Sequence, residues 1–335
     1  MRSYPIFVSL CLLTGCVSSY ANKERLPFAE FTYSSVDGNP WPVERLALPG
    51  VAERYGLRAA PEVAYVELNP EGERTLIFVH GLGSYLKFWR YQLDTMAASG
   101  YRVVALDMVG FGKSDKPATF PYTMPAMAEV VKELAERLQI ESPVIVGHSM
   151  GGQTALALAI QYPEIPKALI LTSPAGLEKF SKREKRWFRK VMSTTFIKGT
   201  SEEAIWGSIQ HNNFFRWRPE LEWLVEERVR VVGTPDFDAY AYANVRSVQG
   251  LADNNFVREN LPLVRVPTVI IFGNQDRLIP NPFMHGAPTK EIMKYGHDRI
   301  KGSKLVELGG CGHTVQMDCP REYNRAVVDF LDTLD

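Results

Sequence analysis

The sequence predicts an α/β fold: a mostly parallel central sheet with helices on both faces and an inserted helical cap. Three observations lead there. Short apolar runs alternate with helical patterns from about Glu62 onwards, as expected of strands buried between two layers of helices. Each run ends in a polar or glycine-rich turn. One stretch, residues 177–260, carries aromatic-rich helical segments and no buried-strand run, so it interrupts the alternation instead of continuing it.

Taken in order, Thr75-Leu76-Ile77-Phe78-Val79 is a strand run that ends at His80-Gly81, and Arg102-Val103-Val104-Ala105-Leu106 is a second that ends at Asp107. Pro143-Val144-Ile145-Val146 runs into Gly147, and residues 167–171, 267–272 and 304–308 supply three more. Helical spacing covers residues 88–98, 127–138, 152–160 and 321–331. The division that follows is a core of residues 61–176 and 261–335, with a cap of residues 177–260. Residues 16–60 are a tether and an N-terminal extension. With Pro27, Pro40, Pro42 and Pro49, the extension reads as a surface run before the first strand. A chain of 335 residues holds one such domain with its insert. In open α/β sheets the ligand site lies at the carboxyl ends of the strands.

Composition narrows the function. Lys and Arg together number 38, as do Asp and Glu, and a net charge of zero argues against nucleic acid as a partner. At the N-terminus, Arg2 precedes an apolar run, residues 6–13, that is too short to span a bilayer and reads as a secretory signal. Leu13-Thr14-Gly15-Cys16 resembles the lipobox of bacterial lipoproteins. That resemblance implies a signal peptide of residues 1–15, lipidation at Cys16 and membrane attachment through the lipid. Val17 at the next position implies the outer membrane of a Gram-negative bacterium, facing the periplasm. Residues 18–23 read as a polar tether.

Chemistry concentrates in the turns. Gly147-His148-Ser149-Met150-Gly151 follows a Val/Ile strand and opens a helix of small residues, the strand–turn–helix setting of a nucleophile elbow. There Gly147 and Gly151 permit close approach of helix and strand, and His148 is expected to pack. A serine hydroxyl needs a base. Asp276 lies in the turn after one strand run and His313 in the turn after the last, so Ser149, Asp276 and His313 occur in the chain order this arrangement requires. An oxyanion hole needs backbone N–H donors. Met150, which follows the nucleophile, supplies one. Leu82, within His80-Gly81-Leu82-Gly83, supplies the other, and His80 and Gly81 support that loop. His211, His285 and His297 lack metal-ligand spacing, and no metal or organic cofactor is implied.

These motifs, with Asp107-Met108-Val109-Gly110-Phe111-Gly112-Lys113-Ser114-Asp115, resemble the α/β-hydrolase superfamily in its branch with a helical cap. The resemblance implies a serine hydrolase and a structural Asp107. The first reading is a carboxylesterase acting on a small apolar ester; a C–C bond hydrolase or lactonase is the alternative within the fold. A binding protein on the same fold is the alternative of another class, and it would not need the three residues in order. Cys311 and Cys319 flank His313 and are either bridged, in an oxidising compartment, or two free thiols. The cap is expected to roof the substrate pocket with its aromatics: Trp187, Phe188, Trp206, Phe214, Phe215, Trp217, Trp223, Tyr240 and Tyr242. Residues 179–190 mix Lys and Arg with Phe and Trp, either as a solvated basic face or as an interfacial helix.

Overall fold

The computed structural model describes residues 19–253 and 255–334; the signal segment, Cys16 and Val17 lie outside the described residues. Eight strands form one sheet: β1 (Glu44–Ala47), β2 (Glu62–Leu68), β3 (Thr75–Val79), β4 (Arg102–Leu106), β5 (Val144–His148), β6 (Ala168–Thr172), β7 (Thr268–Gly273) and β8 (Lys304–Leu308). Their order is β1-β2-β4-β3-β5-β6-β7-β8. β2 pairs antiparallel with β1 and β4, and all other neighbours are parallel. Every residue of β3, β5, β6 and β7 is buried, because helices cover both faces of a parallel sheet. That is why these strands are continuous apolar runs in the sequence.

The N-terminal extension departs from expectation. It is not a surface run. It contributes the edge strand β1 and the helix Pro49–Tyr55, and it buries Phe28, Phe31, Tyr33 and Trp41 in the main core. The tether reading also fails at Ser19–Asn22. Tyr20–Asn22 forms a 3-10 turn, and the Glu202 carboxylate of the cap accepts from Ser19 Oγ (2.7 Å), Tyr20 N (2.9 Å) and Ala21 N (3.0 Å). Tyr20 is buried and stacks on Trp206.

The helical stretch expected over residues 88–98 is a 3-10 turn, Leu86–Trp89, followed by the helix Leu93–Ala98. A further helix, Thr289–His297, joins β7 to β8, which pair in parallel and so need a long crossover connection.

Between β6 and β7 the cap is helical throughout its regular elements: Lys182–Val191, Thr194–Lys198, Glu202–Gly207, a π-helical turn Ser208–Asn213, Trp223–Arg230, Phe237–Asp253 and Asn255–Asn260. It is fixed to the core by a buried pair. Lys87 Nζ lies 2.6 Å from Glu227 Oε1, with both side chains almost fully enclosed. Tyr85 donates a second hydrogen bond to the same carboxylate.

Candidate active site

β5 ends at His148, and the helix Met150–Gln161 starts one residue after Ser149. Ser149 itself adopts φ 51° and ψ −112°, a strained conformation for a residue with a Cβ. Neighbours hold it there. Its N–H donates to Thr172 O (2.9 Å), and its carbonyl accepts from Gln153 N (3.1 Å) and Ala175 N (3.0 Å). The sharp turn needs glycine beside it: a Cβ on Gly151 would lie 2.1 Å from Val79 O, and one on Gly147 would lie 2.4 Å from Gly151 O.

Asp276 follows β7 and His313 follows β8, so both stand at the same sheet edge as Ser149. The Asp276 side chain is fully enclosed. Its Oδ1 accepts from Leu278 N (2.8 Å) and Ile279 N (3.0 Å), and Oδ2 accepts from His313 Nδ1 at 2.8 Å. With Nδ1 donating to a carboxylate, Nε2 of the neutral ring is left as an acceptor. Ser149 and His313 line one cavity. No hydrogen bond joins Ser149 Oγ to His313 or another described residue, a contact that tightens only in a substrate complex in many enzymes.

The His313 turn is braced from two directions. Cys311 and Cys319 are joined by a disulfide, with Cα atoms 5.9 Å apart, so the bridged alternative is the one the structure adopts. The buried Asp318 carboxylate accepts from Gly312 N (2.7 Å) and from the cap amides of Phe215 (2.7 Å) and Arg216 (3.2 Å). Thr314 N donates to Asn213 O at 2.9 Å. The cap is thereby fastened to the turn that carries the histidine.

Met150 opens its helix, so its N–H is one of the four that have no intrahelical acceptor. The His80-Gly81-Leu82-Gly83 loop lies directly over the elbow: a Cβ on Gly81 would sit 3.2 Å from Ser149 Cβ. Leu82 lines the same cavity as Ser149. His80 shapes this loop from beneath, its Nδ1 donating to Gly81 O (2.7 Å) and its Nε2 accepting from Met108 N (3.0 Å). Burial pushes its imidazole down to about 4. His148 packs, as expected. Burial and the adjacent His313 hold it well below the ordinary histidine range, and its Nε2 faces His313 O at 3.2 Å. Asp107 is a structural hub at the end of β4, accepting from Leu86 N (2.7 Å), Lys113 N (2.7 Å) and Tyr33 Oη (2.6 Å). Burial raises its carboxyl to about 6 against those three donors.

Two cavities meet here. The chamber at Ser149 has a volume of about 240 Å³, with Phe180, Phe188, Val248 and Leu251 among its walls. A second, of about 380 Å³, lies under the cap against Phe28, Phe31, Phe196 and Phe214, and the two share Leu82, Ser84, Phe88 and Asn213. The cap does roof the site. Of the aromatics named from the sequence, though, Phe188 and Phe214 line these cavities, while Tyr240 packs inside the core and Trp187 and Phe215 are exposed.

Sequence reasoning missed Gln153. It lies one helical turn after Ser149, fully buried against the Ser149 chamber, and neither its Oε1 nor its Nε2 has a hydrogen-bond partner among the described residues. A Gln one turn past the nucleophile, at the start of a helix of mostly small and apolar residues, was the signal available. Among the described residues no group of three His, Cys, Asp or Glu side chains is placed to hold a metal ion.

Residues 74–320 match the family model described as alpha/beta hydrolase fold. The chain belongs to that family. Among similar hydrolases, YugF of Bacillus subtilis, an uncharacterized hydrolase, is 27% identical over 304 residues, covering 87% of this chain and 98% of that protein. The 2-hydroxymuconate semialdehyde hydrolase of Pseudomonas sp. (strain CF600) is 29% identical over 279 residues, covering 78% of this chain and 87% of its own length. A probable hydrolytic enzyme from Pseudomonas aeruginosa PAO1 shares the fold at a TM-score of 0.78 with 26% identity, over 93% of this chain and 99% of that one.

Proposed function

We propose that this hydrolase-fold chain is a serine hydrolase that cleaves a bond beside a carbonyl group through an acyl-enzyme. His313 Nε2 takes the proton of Ser149 as Oγ attacks the carbonyl carbon. The amides of Leu82 and Met150 hold the resulting oxyanion, and Asp276 stabilises the imidazolium. Water then releases the acid by the same steps. The observation that carries this reading is the 2.8 Å contact between Asp276 and a His313 that shares its cavity with a strained Ser149.

For the bond that breaks, a carbon–carbon bond between two carbonyls comes first, ahead of the ester favoured by sequence. The likeness to a 2-hydroxymuconate semialdehyde hydrolase supports it. So does Gln153, whose unpartnered amide on the wall of the Ser149 chamber is a candidate donor to a second carbonyl that collects negative charge. In that reaction the bonding electrons pass to the second carbonyl as an enolate, and the leaving carbon then takes a proton from the imidazolium. A neutral carboxylic ester is the second reading. Its support is that no Lys or Arg lines the Ser149 chamber among the described residues, whereas Glu178 does, so nothing there favours an anionic substrate. The test is a parallel panel of neutral β-diketones and p-nitrophenyl esters of graded length. A kcat/KM for diketones at or above that for esters supports the first reading, and hydrolysis of esters alone removes it.

The location follows from the same reading of the N-terminus: export, with Cys16 lipidated at an outer-membrane face. The Cys311–Cys319 disulfide supports it, since such bonds persist in oxidising compartments. No described helix is long and apolar enough to cross a membrane. Cys16→Ser should abolish the acyl mass carried at residue 16 and weaken attachment to the membrane fraction, and a wild-type chain whose mass shows no lipid at Cys16 would end the lipobox reading.

A further inference from the structure

The helix Lys182–Val191 carries six cations and a single acid, Glu184. Arg189 pairs with Asp253, and Lys185 bonds to the Asp253 carbonyl and Asn255. Lys182, Arg183, Arg186 and Lys190 are exposed and form no ion pair among the described residues. The apolar side of this helix is only partly covered. Phe188 turns into the Ser149 chamber, while Trp187 stays 40% exposed and Val191 is also open to solvent. Beside it, the turn after β7 puts Phe283 out at 84% exposure, with its ring centroid 6.5 Å from that of Trp187.

That turn is held in place. Glu178 Oε1 accepts from Asn281 N and from His285 Nδ1, both at 2.7 Å. From solvent inwards the rings form a continuous series: Phe283 to Trp187 to Phe188 at 5.5 Å, then to Phe180 at 5.3 Å. Phe180 and Phe188 are walls of the chamber that holds Ser149. An exposed aromatic patch with unpaired cations beside it on the same helix is the composition of surfaces that seat at a lipid–water interface. Here it adjoins the reactive cavity directly.

We propose that the Trp187–Phe283 patch docks on an anionic lipid surface and that substrate enters the Ser149 chamber from the bilayer along Phe188 and Phe180. The proposal rests on the serine hydrolase reading for its substrate, although the docking itself does not. The occupant is argued from charge complementarity. Phosphate headgroups satisfy Arg183, Arg186 and Lys190, which share a side of the helix with Trp187, while Trp187, Val191 and Phe283 enter the headgroup–acyl boundary. Substrates are then neutral carbonyl compounds apolar enough to partition into lipid.

The test uses the chain from Val17 onwards, so that neither an acyl anchor nor the apolar run of residues 6–13 contributes. Its partitioning is followed by flotation with phosphatidylcholine vesicles, with and without phosphatidylglycerol. Two variants are compared in that background: Trp187→Ser with Phe283→Ser, and Arg183→Glu with Arg186→Glu and Lys190→Glu. The aromatic variant should lose about tenfold or more in partitioning to both vesicles. The charge variant should lose about fivefold or more per cation removed on anionic vesicles alone, an effect that high salt abolishes. Both variants should keep wild-type turnover of a soluble short substrate, which also reports that they are folded. On vesicle-borne long-chain substrate both should fall by the factor seen in partitioning. Unchanged partitioning in both variants overturns the proposal. Self-association in solution that Phe283→Ser abolishes also overturns it, because the patch would then belong to a second copy of the chain. If soluble turnover is absent in the parent chain, the hydrolase reading fails while partitioning still answers the docking question.

Discussion

Gln153→Leu separates stability from activity at one position. The glutamine is fully buried with both amide atoms unpartnered among the described residues, and a buried polar group without a hydrogen bond costs about 1–3 kcal/mol. Leucine is close in size, favours a helix as well, and removes both polar atoms. The variant should therefore be more stable by about 1–3 kcal/mol in urea unfolding. Activity should move the other way. If the Gln153 amide donates to an oxygen that becomes an enolate, its loss should lower kcat/KM for a β-diketone by roughly 10²–10³, the size of effect found for a single oxyanion donor. Ester turnover, in which no second carbonyl takes charge, should change less than about fivefold. Unfolding curves and two substrates decide the matter. A variant that is destabilised and retains full diketone turnover refutes the reasoning, because Gln153 would then be a structural residue with partners of its own.

Two other perturbations follow from the packing. Unfolded histidine titrates near 6.5, whereas His80 in the fold titrates near 4, so between those values the unfolded chain binds the extra proton. The resulting stability is fully present above about pH 6.5 and is lost as pH falls towards 4. The stability difference between wild type and His80→Gln should therefore shrink by about 3 kcal/mol between pH 7 and pH 4, read by urea titration at each pH. A pH-independent difference would contradict the burial argument. At the cap, Glu227→Ala strands the buried Lys87 ammonium and should cost about 3–5 kcal/mol, while Lys87→Met combined with Glu227→Leu should recover most of the loss.

Much of this architecture was legible because burial on both faces leaves continuous apolar runs. β3 and β4 have the limits their sequence runs suggest, and so does the edge strand β8, although its residues are half-buried or exposed. The turns after β5, β7 and β8 carried Ser149, Asp276 and His313 in an order that the parallel topology gathers at one edge. β1 was illegible for the opposite reason. Glu44-Arg45-Leu46-Ala47 is an edge strand with charged residues exposed, which is how edges avoid further pairing, and it leaves no apolar run. The packing of Phe28, Phe31 and Tyr33 depends on Tyr85, Tyr240 and Asp107, residues far away in the chain. Tyr20 was read as tether because its partner, Trp206, lies in the cap. Gln153 was hidden because its lack of partners is a property of the packed interior, not of local sequence.

The most direct test of the proposed chemistry is labelling by a fluorophosphonate, which bonds only to an activated serine. One equivalent should attach at Ser149, located by peptide mass. Labelling should vanish in Ser149→Ala, a variant whose stability should stay within about 1 kcal/mol of wild type, and should slow sharply in Asp276→Asn and His313→Ala. Absence of labelling in the folded wild-type chain, or labelling that survives Ser149→Ala, would contradict the account.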